Sequence, residues 1–238
     1  MDKTILPILL SGQRLQGHRV DMIASNLANL STDGFRAQRP LASEMVLSRG
    51  GPSLSLPRFA ATMTPELDGP LEMTGAPLDL AVIGPGFFLV EDSVAGRLLT
   101  RAGRFVTQQD GSVVTPSGAR LLDNGGAPVQ LLPGSAPPVI SEDGTLSQDG
   151  VALAQIGIWR GAAGMERRSG AAFAAPPDAA LQQDGRLRQG AVEGANVDPV
   201  SEMAAMIEAS RRYTLMQSLS DREDGRIRNV IETFSRAS

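Results

Sequence analysis

Apolar and polar positions follow three successive rhythms along the chain. From Thr4 to Leu30, the positions Leu9, Gln13, Gln16, Val20, Ile23, Leu27 and Leu30 recur at spacings of four and three, and Ile5, Ile8, Leu15 and Met22 widen the stripe. That period predicts an amphipathic helix. Ser31-Thr32-Asp33-Gly34 ends it, with Gly34 suited to the left-handed conformation after a helix. Pro7 fits only the first turn, so the regular helix starts near it. Gly12 and Gly17 each cost about 1 kcal/mol relative to alanine. The helix is therefore marginal in isolation.

The second rhythm runs from about Arg36 to Asn196. Its first part, 36–75, is broken by Pro40, Gly50-Gly51-Pro52, Pro57, Pro65 and Gly69-Pro70, and reads as an extended arm with little secondary structure. After it come short apolar runs separated by turn signals. Leu78–Ile83, Phe87–Glu91, Arg97–Arg101, Arg104–Gln108, Ser112–Thr115, Arg120–Leu122, Val129–Leu132, Val139–Ser141, Thr145–Ser147, Ala152–Trp159 and Arg186–Gln189 read as strands. Asp110-Gly111, Gly125-Gly126, Asp143-Gly144 and Asp149-Gly150 supply turns. An antiparallel β domain is expected.

The third rhythm opens at Asp198-Pro199, a cap followed by a proline suited to the first helical position, with Glu202 in the first turn. Met206, Ala209, Tyr213, Met216, Leu219, Glu223, Ile227, Val230 and Phe234 form a second helical seam, and Asp221–Gly225 is expected to interrupt it. The predicted class is α+β, mainly β with terminal helices: an N-terminal helix (1–35), an arm (36–75), an antiparallel β domain (76–195) and a C-terminal helix (196–238). The two end helices carry narrow seams suited to coiled-coil-like pairing.

Composition narrows the function. The 238 residues are 42% hydrophobic and 20% charged, so a core is possible. Aromatics are 4%, which leaves the core to aliphatic side chains. The net charge of −4 comes with no basic patch for nucleic acid. Lys3 is the only lysine, a skew that fits a GC-rich genome. With no cysteine, thiol chemistry is excluded; the one histidine, His18, excludes a His-rich metal site and, as an isolated helix residue, is expected to have no catalytic job, and no cofactor is expected. The Asp-Gly pairs are explained by turn chemistry, and Gly84-Pro85-Gly86 lacks the residues of a phosphate loop. Met1–Leu10 lacks a cleavage region, and no apolar run is long enough to span a membrane. These rules by themselves say cytoplasmic, but they miss any export route that reads an uncleaved N-terminus.

Four blocks carry a resemblance. Ser25-Asn26-Leu27-Ala28-Asn29-Leu30-Ser31-Thr32-Asp33-Gly34-Phe35-Arg36 is similar to the N-terminal signature of flagellar rod and hook axial proteins. Thr74–Phe88 resembles that family's Gly-x-Pro-Leu-Asp strand and Gly-x-Gly-Phe-Phe turn. Thr100-Arg101-Ala102-Gly103-Arg104-Phe105 resembles its Thr-Arg-x-Gly-x-Phe element, and Gln189–Val200 its block before the last helix. The four blocks stand in family order and span nearly the whole chain. Pro7, Leu30-Ser31 and Pro85 depart from the pattern. The length leaves no room for the hook protein's inserted domain, while the shortest rod subunits lack a β domain. A proximal rod subunit fits best, with the distal rod subunit as the alternative.

The resemblance implies a non-enzymatic subunit of the basal-body rod. Its partners would be other rod subunits and the type III export apparatus, and it would sit in the periplasmic rod without a cleaved signal peptide. The interface candidates on the first helix are Leu9, Val20, Ile23, Leu27 and Leu30. Asn26 and Asn29 are expected to hydrogen-bond between subunits and fix register. Gly34 and Phe35 are candidates at the helix end, with Phe35 an anchor landing on the C-terminal helix or a neighbour. On the last helix the candidates are Met203, Met206, Ile207, Tyr213 and Met216, followed by Ile227, Val230 and Phe234. The rival classes are a polysaccharide-acting periplasmic enzyme, which needs a cleft with two carboxylates, and a secreted β adhesin.

Overall fold

The computed structural model describes residues 5–47, 54–63, 67–161 and 164–236. Gly50-Gly51-Pro52 and Pro65 lie outside them. The chain forms two compact units. The first takes the described residues of Met1–Ala28, Gln38–Pro65 and Asp198–Ser238; the second takes those of Asn29–Ala37 and Glu66–Val197.

The first unit holds α1 (Ile5–Ala28), β1 (Arg39–Leu47), β2 (Leu54–Met63) and α2 (Pro199–Arg236). Gly12 of α1 faces Met216 and Gly17 faces the Tyr213 ring. Numbers rise along α1 as they fall along α2, so the helices run antiparallel. A Cβ on Gly12 would lie 3.1 Å from the Met216 thioether. That glycine weakens helix propensity but lets the helices approach. α2 has 38 residues against 24 in α1. Roughly 20 Å of α2 therefore has no α1 beside it among the described residues.

Asp198 caps α2 as expected: its carboxylate accepts from the amides of Val200 (3.2 Å) and Ser201 (3.3 Å). α2 runs on through Asp221–Gly225 as continuous helix. The expected interruption is absent, and Arg226 donates back to Glu223 (2.9 Å) across that turn, which supports the helix.

The stretch read as an arm is instead an antiparallel hairpin, Arg39 opposite Met63 and Leu47 opposite Leu54, with a bulge at Leu41/Ala42. Both strands of a two-stranded sheet are edges, so Pro40 and Pro57 remove no ladder bond that a third strand would need. A lone hairpin is marginal in water. This one leans on α1, where the Phe59 ring stacks on His18 at 4.9 Å.

The second unit carries fourteen further strands: β3 (Leu71–Met73), β4 (Leu80–Ile83), β5 (Phe88–Asp92), β6 (Gly96–Thr100), β7 (Val106–Thr107), β8 (Val113–Val114), β9 (Arg120–Leu121), β10 (Val139–Ile140), β11 (Thr145–Gln148), β12 (Val151–Gln155), β13 (Arg167–Ser169), β14 (Ala172–Ala174), β15 (Arg186–Gln189) and β16 (Ala191–Glu193). The central sheet has the order β13-β14-β6-β5-β9-β8-β7; β10-β11-β12 form a second sheet, and β15-β4 and β16-β3 form pairs. All strand pairing is antiparallel.

Successive residues of β5 and β6 enter different clusters. Phe88, Val90 and Leu98 join one core with Leu121, Leu146 and Ile156, while Leu89 and Leu99 join another with Leu122 and Trp159. Both faces of the sheet are covered, which is why these strands read as unbroken apolar runs rather than alternating ones. Val129–Leu132 forms no strand, and Gln130 makes only an isolated bridge to Ser112. The turns at Asp110, Asp143 and Asp149 are where the sequence puts them.

Candidate subunit interface

α2 carries apolar side chains on opposite sides. Ala209 is buried, Glu202 is nearly so, and Met206 and Met216 are half-buried. At 100° per residue these lie on one side of the helix. On the other side Val200 is 70% exposed, Met203 49%, Ile207 54% and Leu215 60%. The face toward α1 thus mixes Ala209 and Glu202 with Met206 and Met216, against an α1 side that includes buried Gln16, while a second set of bulky apolar side chains points outward. Of the expected interface residues, Met203 and Ile207 lie on this outward face. Tyr213 and Ile227 are about one-third exposed. Leu9, Val20, Leu27, Asn29 and Leu30 are half-buried and Ile23 is buried. The side chains of Val230 and Phe234 fall outside those described. Val200 and Leu215 were missed because they sit off the seam that predicted the helix.

Asn26 is placed differently from its expectation. It is 1% exposed, its Nδ2 donates to the Gln38 carbonyl (3.0 Å), and its Oδ1 accepts from the Gln38 amide (2.8 Å). At 1% exposure the amide is not presented at the surface of the single chain. Its bond holds the end of α1 to the start of the hairpin. Asn29 accepts from the Thr32 hydroxyl at 3.2 Å.

The signature after α1 builds an ion network inside the second unit. Gly34 has φ +65°, and its amide donates to the Glu193 carbonyl at 2.6 Å. A Cβ there would lie 2.3 Å from the Arg101 backbone carbon. Phe35 is 1% exposed, with the Arg167 guanidinium 4.7 Å from its ring centre and 4.6 Å from that of Phe173. Phe35 is thus anchored in this unit rather than on the C-terminal helix. Arg36 donates to the Leu67 carbonyl (3.0 Å), Asp68 (2.8 Å) and Glu193 Oε1 (3.4 Å). Arg101 donates to Glu193 Oε2 (2.9 Å) and to the carbonyls of Val82 (3.1 Å) and Gly84 (2.6 Å). Glu193 Oε1 also accepts from the Gly69 amide at 3.0 Å. Arg36, Arg101 and Glu193 are all nearly sealed from water. Burial pulls the Arg101 pKa below its ordinary value, opposed by the Glu193 charge. Burial brings Arg167, which has no carboxylate partner among the described residues, down to about 10. At about 10, Arg167 remains cationic near neutral pH. Arg36 and Arg101 were visible only as members of matched blocks, and Glu193 gave no signal of burial.

Gly34→Ala is expected to destabilise this unit by at least the roughly 1–2 kcal/mol of a left-handed non-glycine residue, with a further loss as the Arg101 backbone shifts. Chemical denaturation followed by Trp159, the single tryptophan, reads this directly.

Four exposed aspartates have pKa values held below the ordinary carboxylate range by hydrogen-bond donors: Asp92 by the Ala95 and Val94 amides, Asp110 by Ser112, Asp143 by Thr145 and Asp198 by Ser201 and the Val200 amide. A depressed folded pKa gives stability that is complete above the unfolded value of about 3.9. It is lost as pH falls through the lower folded values. Thermal scans should therefore show these turns and the α2 cap contributing fully at about pH 5–7 and failing below about pH 4.

An open groove of about 670 Å³ is lined by residues including Asn124, Glu142, Asp143, Gln155, Leu181 and Arg186. Its two carboxylates are engaged: Glu142 faces Arg186 at 3.5 Å, and Asp143 accepts from the Thr145 amide and hydroxyl, both at 3.0 Å. No helix among the described residues is long and apolar enough to cross a membrane.

Three family models match in chain order: flagella basal body rod protein over residues 6–36, flagellar hook protein FlgE/F/G D1 domain over 81–148, and flagellar basal body rod FlgEFG protein C-terminal over 188–232. The flagellar basal-body rod protein FlgF of Mesorhizobium japonicum is 34% identical over 94% of this chain and 97% of its own. The chain belongs to the flagellar basal-body rod protein family. FlgF of Rhizobium meliloti is 31% identical, covering 98% of both chains. The rod protein FlgG of Agrobacterium fabrum is 26% identical over 88% of this chain and 91% of its own. The matched family segments coincide with the elements above: the rod-protein model covers nearly all of α1 and residues Gly34–Arg36, and the C-terminal model begins just before Glu193 and covers most of α2.

Proposed function

We propose that this chain is a structural subunit of the flagellar basal-body rod. One observation carries the reading: the bulky apolar side chains of α2 at Val200, Met203, Ile207 and Leu215 face away from the chain's own α1. Exposed apolar area is unfavourable by about 25 cal/mol per Å², so covering this stripe with the terminal helices of other axial subunits drives polymerisation. Heterologous contacts of that kind propagate as a helix rather than close. The second unit, with its covered sheet and sealed ion network, is rigid enough to serve as wall and to carry torque. The full-length similarity to FlgF, higher than to FlgG, supports the proximal rod over the distal rod. Delivery through the type III export apparatus to the periplasmic rod, without a cleaved signal, fits marginal terminal helices that unravel easily.

Removal of Ile5–Ala28 tests the proposal. The deletion stops short of Asn29, because Asn29–Ala37 belongs to the β unit. In a strain lacking the intact gene, the truncated chain should retain the Trp159 unfolding transition yet leave cells without a complete rod and non-motile. Normal motility would sink the proposal and favour an enzyme or an adhesin.

A further inference from the structure

Residues 34–37 lie across the β unit from sequence far away. Gly34 N–H donates to the Glu193 carbonyl (2.6 Å), Asn196 N–H to the Phe35 carbonyl (3.1 Å), and Ala37 N–H to Asn196 Oδ1 (2.6 Å). Between these backbone bonds sits the Arg36–Glu193–Arg101 network. The partners stand 157 and 159 residues apart in the chain. The hairpin 39–63, which intervenes in sequence, belongs to the other unit. We infer that Gly34–Ala37 and Glu193–Asn196 form a closing clasp: the β unit is not stable without both, and it completes only when the two blocks meet.

The reasoning is electrostatic and steric. Without residues 34–37, the Glu193 carboxylate keeps Arg101 and the Gly69 amide but loses Arg36, its main-chain carbonyl loses the Gly34 amide, and Asn196 loses its bond from the Ala37 amide. Phe173 and Arg167 lose the Phe35 ring that covers them. A buried carboxylate stripped of a partner is strongly destabilising. Without residues 193–196, Arg36 and Arg101 are left as adjacent cations with the half-exposed Asp68 as their remaining carboxylate among the described residues. Neither state holds a closed core. A chain made or delivered from its N-terminus therefore keeps its β unit open until Asn196 is released. A segment of 158 residues (36–193) stays extensible for that time, and the unit snaps shut as α2 follows. This inference stands on the second unit's own contacts and is independent of the rod reading.

Hydrogen exchange on the full-length protein tests it. The clasp amides of Gly34 and Ala37 should exchange with the same denaturant dependence as the core amides of Leu122 and Val129, which donate to Leu89 and Leu121. Glu193→Gln should accelerate both sets by the same factor, about a hundredfold or more. If that variant does not fold, the wild-type denaturant series decides alone. Gly34 and Ala37 exchanging through a local opening, while Leu122 and Val129 remain on the global one, would overturn the inference.

Discussion

Replacing Glu193 with alanine should lower the stability of the β unit by about 3–5 kcal/mol, the range for breaking a buried, hydrogen-bonded ion pair. The change leaves Arg36 and Arg101, 3% and 2% exposed, over the Phe87 ring with the half-exposed Asp68 as their remaining carboxylate among the described residues. It also leaves the Gly69 amide without its acceptor. Urea unfolding followed by Trp159 should show an earlier midpoint, and Asp68→Ala should show a much smaller shift because its side chain is 50% exposed. A Glu193→Ala loss below about 1 kcal/mol, the range of an exposed pair, would mean the network is peripheral.

The paired substitution Met203→Glu and Ile207→Glu should abolish incorporation into the rod while leaving the Trp159 transition within about 0.5 kcal/mol of wild type. Both side chains are about half exposed in the single chain, so carboxylates there meet water and cost little. In an assembled wall the same carboxylates would be buried unpaired, which is expensive. Complementation of motility and recovery of basal bodies read the outcome. Undiminished assembly would show that this face of α2 is not covered.

Much of this was legible in the sequence. The caps at Asp198 and Gly34, the turn glycines and most strands follow from local chemistry that acts over a few residues. The hairpin 39–63 was not legible, because Pro40 and Pro57 normally argue against strands, and only the absence of a third strand makes them harmless. The direction of the apolar stripes was half legible: period shows a helix's apolar side but not which side its own chain covers. That is decided by Gly12 and Ala209, small residues that bring the helices close. Glu193 was opaque. A glutamate ending Ala191-Val192-Glu193 looks like a solvated charge, and the two arginines that neutralise it come from 157 and 92 residues away. Asn26 misled for a related reason: a buried amide shows in the sequence, but its partner does not.

A photo-reactive residue at Val200, 70% exposed and the most exposed large apolar side chain among those described on α2, tests the central claim most directly. Illumination of intact basal bodies should join this chain to a terminal helix of another axial subunit. Crosslinks confined to the chain's own residues, or to none, would contradict it.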